Sequence, residues 1–337
     1  MSASVDKLAV WQKLSFKEKK KMLEDEFGLP ISASPYLPRM SNTSGTFAVP
    51  YAINSAGLSG LQNLIGSRRV EAWTSVREAC FVSVRDRGSS QTLRKAGVEH
   101  TLAPDLVHTL RDDPDFRPDA QPDLALIQVK GAVLRRIGTH RFAQILSESK
   151  SLKPYRLRLF AAGYATGHDS YDLYEEVVQH FASMNTSRDI SMPLNGTALE
   201  KAQEIAGCGL WIGTSLHGWI ISSSFNRARV AVELEKIVRY SNSWEDPMPA
   251  GVQVVDIEVA IQDAIAKERR GDSAEFRRSE SIAKMADASV RSALSRLASD
   301  VPKGEVERRS ETHQKLLARS KNPLHAVLDS FDFRRSN

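Results

Sequence analysis

Short apolar runs alternate with longer amphipathic stretches along most of this chain, a rhythm that predicts strands followed by helices. Residues 5–27 read as one charged helix ending at Gly28, residues 31–45 as a loop rich in Ser, Pro and Asn, and residues 46–54 as a strand. A turn carrying Gly57 and Gly60 follows. Residues 68–79 have helical spacing, with Val70, Trp73 and Val76 on one side. Residues 81–84 form a strand and 85–89 a polar loop. Ser89 or Ser90 is placed to cap a helix that runs to Ala96 and closes at Gly97.

Residues 111–122 hold three prolines and four aspartates and mark the best domain boundary. Beyond them the pattern predicts strands at 124–129, 157–161, 210–212, 229–234 and 252–257. Helices are expected at 141–150, 171–182 and 199–206, with another opened by His217. From residue 258 the chain reads as helical and strongly charged. Strand-loop-helix alternation of this kind favours an α/β fold with parallel sheets. The expected division is a first domain at 1–115, a second at 120–258 and a helical tail at 259–337.

Composition narrows the picture without deciding it. The chain has 337 residues, 41% of them hydrophobic and 26% charged, which suits a globular protein of two domains. Its net charge of +5 suits anionic ligands. Much of that charge lies in local runs such as residues 17–21 and Arg334-Arg335, which read as solvated faces, so no nucleic-acid partner is expected. The two cysteines, Cys80 and Cys208, each open an apolar run and read as reduced core residues of a cytoplasmic protein. No apolar span is long enough to cross a membrane, and the N-terminus lacks the apolar core of a signal peptide.

Three basic or titratable residues stand just after predicted strands: Arg85, His217 and Lys236. In a doubly wound sheet the carboxyl ends of the strands share one rim, where ligands bind. Arg and Lys there suit phosphate or carboxylate, and an imidazole between them suits acid–base chemistry. Each residue also has a plain structural reading. A histidine before an apolar helix is ordinarily a core or capping residue, a lone arginine a surface ion pair, and Lys236 part of a solvated salt-bridged edge. His168-Asp169 sits in another post-strand loop, where Asp169 or Ser170 reads as a helix cap. The chain has no P-loop, nucleophile elbow, HExxH or zinc spacing.

The segments Val82-Ser-Val-Arg-Asp-Arg-Gly-Ser89 and Gly213-Thr-Ser-Leu-His-Gly218 resemble the polysaccharide pyruvyl transferase family. Tyr51-Ala-Ile-Asn-Ser-Ala-Gly57 is similar to the strand and glycine turn before the first motif, and the resemblance covers residues 46–240. It implies a fold like the GT-B glycosyltransferases, with two Rossmann-like domains facing a cleft. It also implies transfer of the pyruvyl unit of phosphoenolpyruvate to a sugar, commonly as a ketal on two hydroxyls. By this resemblance His217 is the catalytic residue. Arg85, Lys236, Ser215, Asn54, Ser55, Gly57 and Ser89 are substrate-binding, with a one-residue gap before Lys236. The implied partners are the phosphoenolpyruvate donor and a saccharide acceptor of an exopolysaccharide or cell-surface precursor. The implied location is the cytoplasm or the inner membrane face, and the chain is a candidate homo-oligomer. No separate cofactor and no metal is implied.

Two departures stand out. Ser215 occupies the place of a family arginine, and the first 50 residues contain only Gly28 and Gly45, without the family's glycine-rich opening loop. The chain is therefore either a pyruvyl transferase with a variant donor site or an impaired member that binds sugar or a partner. A GT-B-like glycosyltransferase using a nucleotide sugar is the alternative enzyme.

Overall fold

The computed structural model describes residues 50–164, 168–184, 188–269 and 273–300, together with Glu18 and Lys21. The helix expected at 5–27, the loop at 31–45, most of the strand at 46–54 and the tail beyond residue 300 lie outside the described residues.

The architecture is α/β with parallel sheets, as the alternation requires. A three-stranded sheet has the order β1-β2-β3, from β1 (Ala52–Ala56), β2 (Phe81–Val84) and β3 (Thr101–Leu102), with β2 and β3 parallel. The six-stranded sheet comprises β4 (Gln121–Gln128), β5 (Arg156–Leu159), β6 (Ile190–Ser191), β7 (Cys208–Gly213), β8 (Ala228–Val232) and β9 (Ala250–Val252). Its order is β6-β5-β4-β7-β8-β9, and every neighbouring pair is parallel. Counted within the sheet, this is the 3-2-1-4-5-6 order of a doubly wound Rossmann fold. The strand order reverses between β4 and β7, so the crevice outside their carboxyl ends is where such a fold binds ligands.

The chain divides into two compact units. Among the described residues the larger takes in 54–59 and those of 83–291, and the smaller 50–53, 60–82 and 292–300. The boundary expected near residues 115–120 falls inside the larger unit.

Helices cover both faces of the six-stranded sheet. They are α3 (Gly131–Ile137), α4 (Thr139–Glu148), α5 (Tyr171–Ala182), α6 (Ala198–Gly207), α7 (Leu216–Ser224), α8 (Glu235–Ser243) and α9 (Ile257–Arg269). Along β4, Ala125 and Ile127 enter one core with α4, α5, α7 and α9, while Leu124 and Leu126 enter the other with α6 and Trp211. This period of two, with both faces buried, explains the continuous apolar runs. Each fully buried large side chain contributes about 1.5–3 kcal/mol.

Several local expectations change. Helix α1 (Gly66–Glu78) buries Glu71, Ala72, Ser75 and Val76, while Val70 is 63% exposed, because its inner face includes Ala, Ser and Glu positions that a count of large apolar residues passes over. Helix α2 (Arg87–Lys95) is capped by Asp86, which accepts from the Ser89 N–H at 2.8 Å, and not by Ser89 or Ser90. Gly97 ends α2 at φ +65°, and the bonds Val98 N–H to Leu93 O and Gly97 N–H to Arg94 O form a Schellman motif. Ser170 caps α5, and Thr197 with Glu200 forms a capping box on α6. The strand expected at 252–257 is instead the end of β9, a 3-10 turn at Val254–Asp256 and the start of α9.

Three buried polar groups fix the larger unit. The Gln128 carboxamide, 1% exposed at the end of β4, accepts from Thr214 N–H at 2.9 Å and donates to Asp169 Oδ1 at 2.5 Å. Asp169 in turn accepts from the Ala162 and Gly163 N–H groups. The fully buried Arg229 on β8 pairs with Asp246 at 2.6 Å and with Glu275 at 2.8 Å, tying down helix α10 (Ser273–Asp300). Burial alone would raise the Glu275 pKa, but hydrogen bonds and charge from Arg278 and Arg229 hold it at about 2.

The third group is a chain of hydrogen bonds. Asp105 N–H donates to Tyr240 Oη at 3.1 Å, and Tyr240 Oη lies 2.9 Å from His108 Nε2. His108 Nδ1 lies 2.7 Å from Ser224 Oγ, whose proton goes to Ile220 O. The assignment that satisfies every member is neutral His108 protonated on Nδ1, accepting from Tyr240 on Nε2. Burial lowers its pKa to about 3, against the pull of Asp105 and with the push of Arg278 and Arg229.

Two outcomes are expected. Gln128→Glu should cost about 2–4 kcal/mol at neutral pH in urea unfolding, because two carboxylates then meet in a buried site. The shared proton raises the folded pKa of the pair, so the deficit should shrink as pH falls and grow as pH rises. For His108, the folded pKa lies below the unfolded one, so stability is lost as pH falls from 6.5 towards 3. That contribution approaches about 1.4 kcal/mol per pH unit within the window. Urea unfolding of His108→Gln across the same range should lack that part of the slope.

Candidate functional site

The site is built on the carboxyl ends of strands, all within the larger unit. Arg85 leaves β2 directly, and Asp105 follows β3 and caps the 3-10 helix Leu106–Asp112 by accepting from Val107 N–H. Arg85 Nη1 donates to Asp105 Oδ2 at 2.8 Å. His217 Nε2 stands 3.9 Å from the same oxygen. One carboxylate therefore lies between the guanidinium and the imidazole. The spacing of sequence motifs did not find Asp105, although Pro104-Asp105 after a short strand is a cap signal.

Helix α8 holds this arrangement from the six-stranded sheet. Trp244, just beyond its end, donates its indole N–H to Arg85 O at 2.9 Å, Ser243 Oγ accepts from Arg87 N–H, and Tyr240 Oη accepts from Asp105 N–H. Lys236 lies in the first turn of α8.

Local geometry explains the sequence around the histidine. Ser215 is the N-cap of α7, its hydroxyl accepting from Gly218 N–H. A Cβ on Gly218 would stand 2.1 Å from the Trp211 ring, so this position must be glycine for α7 to pack against β7. His217 points the other way, and its side chain is 62% exposed. Loss of hydration to the surrounding protein lowers its pKa. Asp105 opposes this, and Arg85 and Lys236 add to it. The Lys236 pKa is likewise lowered by burial, then by the charges of Lys130 and Arg85.

Lys130 was not found from the sequence. It follows β4 by two residues, at the strand-order reversal, and its N–H donates to Thr214 Oγ1 at 3.1 Å. The rule that singled out Arg85, a cation directly after a strand, also points to it.

The remaining expected residues divide into two groups. Gly57 lies against Arg85: a Cβ there would stand 3.0 Å from Arg85 Nη2 and 3.1 Å from Nε. Glycine thus lets the guanidinium edge that Asp105 does not use lie close to the backbone at position 57. Asn54, Ser55 and Ser89 are spent inside the fold. Asn54 Oδ1 accepts from Ser83 and Ser289, and Ser55, at φ 52°, donates to Pro104 O at 2.7 Å. The fully buried Ser89 donates to Asp86 and accepts from the Leu58 and Ser59 N–H groups.

Among the described residues no group of three His, Cys, Asp or Glu side chains is placed to hold a metal ion, and no helix is long and apolar enough to cross a membrane. Burial pushes the Cys208 thiol up to about 12, which suits a core residue. The site as a whole presents an imidazole, a shared carboxylate and three cations, a set suited to an anionic substrate and proton transfer.

Comparison with solved structures finds similarity at low identity. A UDP-GlcNAc 2-epimerase from Methanocaldococcus jannaschii, in complex with UDP-GlcNAc and UDP, is 10% identical with a TM-score of 0.43, over 64% of this chain and 62% of that one. The chain thus spans less than two thirds of that relative. A UDP-GlcNAc 2-epimerase from Neisseria meningitidis bound to UDP-GlcNAc is 9% identical with a TM-score of 0.48, over 74% and 70%. The N-terminal domain of Candida albicans trehalose-6-phosphate phosphatase is 11% identical with a TM-score of 0.43, over 73% and 64%. No curated protein matches the chain in sequence. The family model described as polysaccharide pyruvyl transferase matches residues 47–234, more than half of the chain and a span that contains Gly57, Arg85, Asp105, Lys130 and His217. The chain belongs to the polysaccharide pyruvyl transferase family.

Proposed function

We propose that the chain transfers the pyruvyl unit of phosphoenolpyruvate to a sugar of an exopolysaccharide or cell-surface precursor, at the cytoplasmic side of the membrane. The observation that carries this reading is the placement of Asp105 between Arg85 and His217 within a family whose description names the reaction. The donor carries a phosphate and a carboxylate. Arg85, whose Nη1 is the atom paired with Asp105, offers its Nε/Nη2 edge to the carboxylate as a two-pronged partner. Lys236 offers its ammonium to the phosphate.

In ketal formation two sugar hydroxyls lose their protons and bond to C2 of the enolpyruvate. C3 gains one proton and becomes a methyl group. The C2–O bond to phosphate breaks, and the departing phosphate carries the other proton. His217 is the proton carrier in this scheme. As neutral imidazole it accepts from a sugar hydroxyl, and as imidazolium, steadied by Asp105, it returns the proton as an acid. Asp105 also turns Arg85 towards the donor. Ser215 takes no cationic part, since its hydroxyl caps α7.

The direct test is phosphate release from phosphoenolpyruvate in the presence of candidate saccharide acceptors. His217→Ala should lower kcat by about 100- to 10,000-fold while the far-UV spectrum and Tm are kept. Turnover undiminished in the purified variant would remove His217 from this role.

The pH dependence gives a second test. With its pKa lowered, His217 remains a neutral base below the usual histidine range, so the acidic limb of kcat/KM should lie below 6.5. Asp105 is the neighbour that raises that pKa, so Asp105→Asn should move the limb to still lower pH. An unmoved limb in Asp105→Asn would contradict the pairing of Asp105 with the proton carrier.

A further inference from the structure

We propose that Lys130 is a phosphate-binding residue of this site, a second ammonium that grips the leaving phosphate opposite Lys236. The proposal rests on the reading of the site as a phosphoenolpyruvate site and adds a residue to it. It starts from strand register. Gln128 at the end of β4 pairs with Gly213 at the end of β7, so two residues further on Lys130 and Ser215 emerge side by side. Both chain exits are pinned: Lys130 N–H donates to Thr214 Oγ1, and Thr214 N–H donates to Gln128 Oε1. Lys130 therefore stands at the reversal of strand order, the place in a doubly wound sheet where ligands bind.

Charge supports the same assignment. Among the described residues neither Lys130 nor Lys236 has a carboxylate within salt-bridge distance, whereas Arg85 is paired with Asp105. Of the charges that lower the Lys236 pKa, that of Lys130 comes ahead of that of Arg85, after the larger effect of burial. Two mutually repelling cations, each without a counter-ion among the described residues, are relieved by a shared dianion. The carboxylate of Asp169 does not serve, because it is held by Gln128 and by the Ala162 and Gly163 N–H groups. Ser215 supplies no charge on its side of the crevice. Lys130 thus provides, from the neighbouring strand, a cation that position 215 lacks.

The test is calorimetric titration of the full chain with inorganic phosphate and, separately, with phosphoenolpyruvate. Lys130→Met should weaken both by roughly 10- to 100-fold, the loss of one charge-assisted contact. Lys130→Arg should recover most of the phosphate affinity, and an unchanged Tm in both variants excludes a folding defect. Arg85→Ala should weaken phosphoenolpyruvate far more than inorganic phosphate, since its partner is the carboxylate. Equal phosphate affinity in wild type and Lys130→Met would overturn the assignment of Lys130 while leaving the donor-site reading intact. Wild type that binds inorganic phosphate in a Lys130-dependent manner but does not bind phosphoenolpyruvate would retain Lys130 as an anion residue and overturn the donor. Absence of any phosphate binding by wild type would overturn the Lys130 proposal itself.

Discussion

The carboxamide of Gln128 is the constraint on which the candidate site depends. It lies at the end of the central strand, and its two ends make different bonds. The oxygen holds the loop after β7, and the nitrogen holds Asp169, which gathers the loop after β5. Three strand exits are thereby fixed to one side chain, which neither Glu nor Leu could replace, because the task needs one donor and one acceptor with no charge. The exit of β7 then leads into Ser215, the cap of α7, and to His217 two residues later. The position of the imidazole follows from a hydrogen-bond inventory at the bottom of the crevice, and so does that of Lys130.

A second anchoring comes from α8. One helix presents Lys236 at its start and, towards its end, Tyr240 and Ser243, with Trp244 next, which hold the backbone after β2 and β3. The family motifs around Arg85 and His217 are distant in sequence, and α8 is the physical reason that they share a site. The aromatic groups of α8 hold backbone atoms, so the side chains of Arg85 and Asp105 remain available to each other and to a ligand.

Much of this was legible in the sequence where the period was long or the run strongly apolar. Strand Phe81–Val84 and helix Tyr171–Ala182 have the expected limits. Helices α3 and α8 and strand β6 were missed because each is short, and one or two turns carry too few apolar positions to define a period. Cap chemistry also misled. Asp86, Ser89 and Ser90 are all good cap residues, and only the hydrogen bonds show that Asp86 caps while Ser89 packs beneath it. The rule of a cation after a strand found Arg85 and Lys236 and, applied evenly, points to Lys130. Asp105 had no such rule, since its significance lies in a carboxylate meeting residues 20 positions before it and far after it, a relation that only tertiary structure supplies.

The two histidines of the larger unit's polar network show how environment divides labour between chemically identical groups. His108 is fully buried, both ring nitrogens are committed to neutral partners, and a pKa near 3 keeps it without charge at any working pH. It can transmit position, through Tyr240 to Asp105, but it cannot cycle a proton. His217 is largely exposed, keeps its nitrogens free of strong bonds to the described residues and has one carboxylate at 3.9 Å. That distance is too long for a committed hydrogen bond and short enough to stabilise an imidazolium as it forms. The buried histidine thus helps to place the carboxylate, and the carboxylate in turn opposes the loss of hydration that lowers the pKa of the exposed one. The buried polar network and the exposed imidazole thus meet at the same aspartate, His108 through Tyr240 and His217 across 3.9 Å.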